Sequence, residues 1–221
     1  MSKVICCLSQ KGGPGKSTIA RIAAVAYAAA GWSTLVLDAD ASQETSNEWF
    51  ARRLENPKAK TTDLWVCRAK GVNPVKKERA SGNYDMIIVD GAPHATDASV
   101  MYAHQADLVL IPTGTALDDL EPAVRLAISL VSVHGIDRER IRFVLNHCSR
   151  NKRETSQAIE AILGAGLKVL GGMLNESPCY RSAMDAGLAP NEVPYFIPKN
   201  RAVFVAECIA NAVEELNEER I

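Results

Sequence analysis

Gln10-Lys11-Gly12-Gly13-Pro14-Gly15-Lys16-Ser17-Thr18 is the most informative segment of the chain. An apolar run, Val4-Ile5-Cys6-Cys7-Leu8, leads into it, and Ile19-Ala20-Arg21-Ile22-Ala23-Ala24-Val25-Ala26 leads out. The first run has strand character and the second reads as a helix. A glycine-rich turn between strand and helix that closes on Gly-Lys-Ser-Thr is suited to hold phosphate. Its glycines let successive backbone N–H groups curl around phosphate oxygens with no Cβ in the way. The helix N-terminus adds a favourable dipole. Gly13 and Gly15 are the positions expected to need unusual backbone freedom, and Pro14 between them is compatible with the turn. Lys16 is expected to reach the β- and γ-phosphates of a nucleotide, and the Ser17 hydroxyl to ligate Mg²⁺. The expected nucleotide contacts of the loop are Gly12, Gly13, Pro14, Gly15, Lys16, Ser17 and Thr18.

Outward from this loop, short β-branched runs alternate with longer helical patterns. Strands are expected over residues 4–9, 34–38, 64–68, 86–90, 108–112, 142–146 and 168–174. Helices are expected over 16–30, 44–54, 96–105, 119–134, 153–163 and 202–219. Met86-Ile87-Ile88-Val89 and Leu108-Val109-Leu110-Ile111 are continuous apolar runs, as strands covered on both faces require. Gly31 ends the first helix as a C′ glycine. The alternation predicts an α/β fold: one domain over residues 1–221, with an open, mostly parallel sheet covered by helices on both faces. Ligands of such sheets sit at the carboxyl ends of the strands. Residues 9–16, 38–43 and 90–94 all fall there.

Two acidic clusters accompany the loop. Asp38-Ala39-Asp40 ends the second strand. Tyr84-Asp85-Met86-Ile87-Ile88-Val89-Asp90-Gly91-Ala92-Pro93 carries Asp90 out at the end of a buried strand, where it is expected to hold Mg²⁺ through water.

The usual phosphate-loop pattern needs glycine at position 10, where this chain has Gln10, and it gains Lys11 instead. The resulting K-G-G-x-G-K-[ST] resembles the deviant Walker A motif of the ParA/MinD family of P-loop ATPases. The resemblance extends to Asp38 and Asp40, although Ala41-Ser42-Gln43 stands where that family has Pro-Gln. It runs from Val4 to about residue 207. It implies a P-loop NTPase fold, ATP and Mg²⁺ as cofactors, and an ATP-dependent homodimer in which Lys11 reaches the partner's nucleotide. It implies Asp38 near the metal, Asp40 orienting the attacking water, and Lys11, Lys16 and Asp40 as the catalytic set. Gly91-Ala92-Pro93 matches the family's switch. Asn146 and Pro198 match positions facing adenine, and Arg181 aligns with a DNA-contacting arginine. His94, a lone histidine, reads as a surface or supporting residue.

Composition narrows what such an ATPase would do. The chain has 221 residues, 25 lysines and arginines against 26 acids, and a net charge of −1. Coating of nucleic acid by bulk charge is therefore excluded, but local patches remain. Nine basic residues face three acidic ones between Arg52 and Arg79, and six face Glu139 between Arg138 and Arg153. No apolar run reaches membrane-spanning length. The acidic tail after Glu207 is unlike the basic amphipathic helix of a MinD-like membrane ATPase. The N-terminus does not resemble a signal peptide. The six cysteines include no C-x-x-C, so a metal-carrier reading lacks its ligand spacing and buried reduced thiols are expected. The favoured expectation is a small ParA-like ATPase that partitions or positions a plasmid, chromosome or protein organelle. It would bind DNA without sequence preference, answer to a ParB-like or other adaptor, and work in the cytoplasm at the nucleoid. The alternatives are an ATP-switched metabolic enzyme or metal carrier of the same superfamily, or a MinD-like membrane-associated ATPase.

Overall fold

The computed structural model describes residues 2–40, 45–60, 62–93, 96–149 and 151–218. Gln43, His94, Arg150 and the last three residues of the tail lie outside them. Seven strands form one all-parallel sheet: β1 (Lys3–Cys7), β2 (Thr34–Asp38), β3 (Leu64–Arg68), β4 (Met86–Asp90), β5 (Leu108–Thr113), β6 (Ile141–Cys148) and β7 (Lys168–Asn175). Their order across the sheet is β3-β2-β4-β1-β5-β6-β7. Eight α-helices are seen among the described residues: α1 (Lys16–Ala29), α2 (Thr45–Glu55), α3 (Pro74–Ser81), α4 (Asp97–Gln105), α5 (Leu117–Ser132), α6 (Lys152–Gly164), α7 (Pro178–Asp185) and α8 (Phe196–Glu218).

Side chains alternate across a strand, so each central strand feeds two cores. Ile5, Cys7, Val36, Ile88 and Leu110 pack with α1 and α8 on one face. Val4, Cys6, Leu37, Val89 and Ile111 pack with α4, α5 and α6 on the other. β1, β2, β4 and β5 are almost wholly buried, which accounts for their continuous apolar runs. The edge strand β3 is largely exposed and carries Arg68. Its Cys67 is exposed too, an exception to the expectation of buried thiols, while burial pushes the Cys148 thiol up to about 11.

All seven strands fall where the sequence predicts them. The helices α3 and α7 were not expected. Each is eight residues long and begins with proline at its first turn, Pro74 and Pro178, where the fixed φ of proline suits a helix start. α8 starts at Phe196 rather than 202, because Pro198 is tolerated in a first turn that donates no interior hydrogen bond. Gly31 does close α1, with φ of +85°.

Register places the site. Cys7 and Asp38 both stand opposite Asp90, so the ends of β1, β2 and β4 lie level. The chain crosses from β1 to β2, returns to β4 between them, and only then passes to β5. The crevice at this reversal is where an open parallel sheet takes its ligands.

Candidate functional site

The loop from β1 to α1 is held open by backbone geometry. Gly13 and Gly15 have φ of +95° and +100°. A Cβ on Gly12 or Gly13 would meet nothing within 4 Å, so their backbone faces open space. A Cβ on Gly15 would lie 1.9 Å from Asn146 Nδ2. Asn146, buried at the end of β6, donates from Nδ2 to the Pro14 carbonyl at 2.9 Å and braces the loop from beneath. Gly15 caps α1 without a side-chain hydrogen bond, leaving the first-turn N–H groups for a ligand.

Lys16 folds back across this loop. Its Nζ donates to Ser9 Oγ and to the Lys11 carbonyl, both at 3.2 Å. Burial lowers its pKa, and the nearby Asp90 and Asp40 charges oppose that shift. Lys11 instead lies at the mouth, its side chain 44% exposed, with Nζ 3.4 Å from Asp119 Oδ1 on the first turn of α5.

The carboxylates differ in their surroundings. Asp38 Oδ2 accepts from the Ser46 N–H at 2.9 Å and from the Asn47 N–H and Nδ2 at 3.2 Å each, while Oδ1 accepts from the Asp40 N–H at 3.1 Å. Asp38 is therefore spent on anchoring the start of α2 and does not line the cavity. Asp90 is 2% exposed, and its Oδ2 accepts from Ser46 Oγ at 2.6 Å. Its Oδ1 is buried with no hydrogen-bond partner. Burial raises the Asp90 pKa, and hydrogen bonds from Ser46 and Ser17 and the Arg21 charge pull against it. An orphaned buried carboxylate oxygen beside the Ser17 hydroxyl fits a hard divalent cation such as Mg²⁺. Lys16, Ser17, Asp40, Asp90 and the loop glycines bound a cavity of about 400 Å³. A larger groove of about 860 Å³ lies at the far end of α1 against α8, away from the loop and the acidic strand ends, where alanines and valines are mixed with Arg53, Lys58, Lys60, Lys199, Glu207 and Glu214. The chemistry gathers in the smaller one.

The remaining expected contacts lie to one side. The Pro198 carbonyl accepts from Tyr180 O–H at 2.7 Å, and both line a cavity of about 300 Å³ between α7 and α8. α7 is joined to the loop by Thr18 Oγ1, 3.7 Å from Met184 Sδ. Arg181 is exposed and pairs with Glu176 at 3.2 Å. The two basic segments are thinner than their sequence suggests. Arg53 is 1% exposed and salt-bridged to Glu192 at 2.6 Å, and Arg142 is buried against the Glu139 carbonyl. Arg79 pairs with Asp107 at 2.6 Å. Arg52, Lys58, Lys60, Arg68, Lys70, Lys76 and Lys77 remain exposed.

Sequence reasoning missed Arg21, Thr45, Ser46, Asn47 and Asp119. Thr45-Ser46-Asn47 is a run of helix-capping residues after an acidic strand end, a signal that such a segment would cap onto that acid. Nothing in sequence spacing ties Asp119 to Lys11.

Residues 5–190 match the family described as the CobQ/CobB/MinD/ParA nucleotide binding domain. The chain belongs to this family. Among curated relatives, it is 34% identical over 122 residues to the maintenance of carboxysome distribution protein A of Gloeobacter kilaueensis, spanning 53% of this chain and 52% of that one. It is 26% identical over 179 residues to a Staphylococcus aureus protein named as a tyrosine-protein kinase, CapB, over 77% and 73% of the two chains. Among solved structures, it resembles a chain of the MinC:MinD cell division complex of Aquifex aeolicus, with TM-score 0.78 and 19% identity over 95% and 96% of the chains. It also resembles the septum site-determining protein MinD with Mg-ADP from Pyrococcus horikoshii, with TM-score 0.73 and 17% identity over 98% and 99%. In this member of the CobQ/CobB/MinD/ParA family, the glycine-rich loop lies at the β1–β4 crevice.

Proposed function

We propose that this chain is a Mg²⁺-dependent ATPase of the ParA-like kind that partitions or positions a cargo. The observation that carries the reading is the pair of lysines on one loop. Lys16 is buried within the loop, while Lys11 stands at its solvent-facing mouth. Lys16 already serves the loop's own nucleotide, so Lys11 is placed to neutralise a second polyanion brought up by another copy of the chain.

In this reading, the loop N–H groups and Lys16 hold the phosphates of ATP. Ser17 and Asp90 would hold Mg²⁺, which neutralises phosphate charge when bound, and Asp38 fixes the start of α2 beside it. Asp40 lines the same cavity and orients the attacking water. Asn146 braces the loop, and the α7–α8 cavity with Pro198 takes the adenine. Loss of the γ-phosphate removes what Lys11 binds in trans, and the homodimer loosens. The kinship with a carboxysome-distribution protein and with the MinD fold supports a positioning role. The exposed cations near β3, with Arg181, offer phosphate contacts to DNA of any sequence. A ParB-like or other adaptor would stimulate hydrolysis, with the protein cytoplasmic and held at the nucleoid.

The test is the oligomeric state of wild type and Lys11→Ala with ADP and with a non-hydrolysable ATP analogue. Wild type is expected to dimerise with the analogue only. Lys11→Ala is expected to bind the analogue as a monomer. A variant that dimerises like wild type would remove the trans role of Lys11.

A further inference from the structure

α1 carries a second buried cation beside the loop. Arg21 lies one helical turn beyond Ser17, on the same face, and is 6% exposed. Its Nη2 donates to the Thr45 carbonyl at 2.7 Å and lies 3.5 Å from Ser46 Oγ. These are the first two residues of α2. Ser46 is the residue whose N–H holds Asp38 and whose hydroxyl holds Asp90.

The guanidinium also rests on Trp49, with its central carbon 5.2 Å from the ring centroid. Trp49 is fully buried, and Arg53 lies over the same ring at 5.3 Å. Arg53 is gripped by both oxygens of Glu192, at 2.6 and 2.8 Å. Arg21 is thus fixed at its planar face by a clamped aromatic stack and uses its donor on α2. A buried arginine that merely filled the core would have no reason to end on the carbonyl next to the residue joining both acids.

We propose that Arg21 is a positioning residue for the metal side of the nucleotide site. It sets the start of α2 so that Ser46, anchored on Asp38, keeps Asp90 in place for the divalent cation. The inference rests on the phosphate-loop reading above. The loop glycines and Lys16 do not depend on these contacts. Removal of Arg21 therefore separates two parts of nucleotide affinity, one needing Mg²⁺ and one not.

Trp32→Phe and Trp65→Phe together leave Trp49 as the single tryptophan of the three in the chain. In this parent, binding of a fluorescent ADP analogue is titrated in EDTA and in Mg²⁺, with Trp49 emission recorded alongside. Arg21→Ala is expected to keep the EDTA affinity within about twofold and to lose about tenfold or more of the gain that Mg²⁺ confers. Its Trp49 emission should no longer respond to Mg²⁺. Arg21→Lys, which keeps the charge but not the planar fork, is expected to lose roughly threefold of that gain, and it decides the matter if Arg21→Ala does not fold. A folded variant with the full Mg²⁺ gain overturns the proposal and leaves the loop reading intact. Equal losses in EDTA and Mg²⁺ overturn it too, reducing Arg21 to a packing residue. A parent that binds the analogue in neither condition overturns the loop reading and the proposal with it.

Discussion

Lys16 and Asp40 line one cavity, yet their substitutions should fail differently. Lys16→Ala removes the buried cation of the loop cavity, so tight ATP binding should be lost, which equilibrium binding of a labelled nucleotide would register. Asp40→Ala leaves the loop intact. It should keep ATP binding while hydrolysis falls at least about tenfold, or about 1.4 kcal/mol in barrier, in a phosphate-release assay. Asp90 adds a pH dependence. Burial raises its pKa above that of an unfolded aspartate. A raised acid contributes its stability fully below the unfolded pKa and loses it as pH rises through the folded value. Ligand-free Asp90→Asn should therefore melt higher than wild type near about pH 7.5, with the gap closing towards about pH 4. Mg²⁺ favours the ionised carboxylate, so its added stabilisation should grow with pH in wild type and be missing in the variant. A variant less stable than wild type at neutral pH would contradict a carboxyl whose burial raises its pKa.

Among the elements, α2 is the one most dependent on distant partners. Its start is tied to β2 and β4 through Asp38 and Asp90, and its end to the turn after α7 through Arg53 and Gly187. Gly187 has φ of +74°, and a Cβ there would come within 2.3 Å of the Arg53 nitrogen. Gly71 has φ of +92° with nothing within 4 Å. The two glycines separate strain from contact. Gly71→Ala should cost only the backbone term, about 1 kcal/mol, whereas Gly187→Ala should cost roughly 2 kcal/mol more. Urea unfolding of both variants measures the difference, and equal losses would mean that α2 and the α7 turn adjust freely.

For the whole molecule, the charge pattern bears on DNA. Net charge is −1, so attraction to a duplex must come from one face. Arg53, Arg79 and Arg142 are buried or paired internally, while the cations around β3, Arg138, Lys152 and Arg153 of the second basic segment, and Arg181 face solvent. The Arg181–Glu176 pair is exposed on both sides and offers little competition to a phosphate. Binding to random-sequence DNA should require ATP and fall steeply with salt, as counterion release dictates. Arg181→Ala should weaken it to the same degree on every sequence. Salt-independent binding in a filter or fluorescence-anisotropy assay, or preference for one duplex, would rule out a nucleoid-tethering role.

Local chemistry controls everything that the chain alone made legible. The glycine turn, the buried strands and the acids that end them were legible because backbone freedom and strand burial each leave a short-range pattern. Lys16, Ser17 and Asp90 could be named on that ground, and Lys11 and Asp40 through the resemblance to the ParA/MinD motif. Tertiary structure alone decided the rest. It turned Asp38 into an anchor for α2, drew Arg53 and Arg142 out of the basic surface, set Asn146 under the loop and placed Asp119 beside Lys11. Each of these depends on which strand lies next to which, and the β1–β4 neighbourhood joins residues more than eighty positions apart. A side chain's charge is written in the sequence, but its partner is set by packing across that distance. Short range carries no record of it.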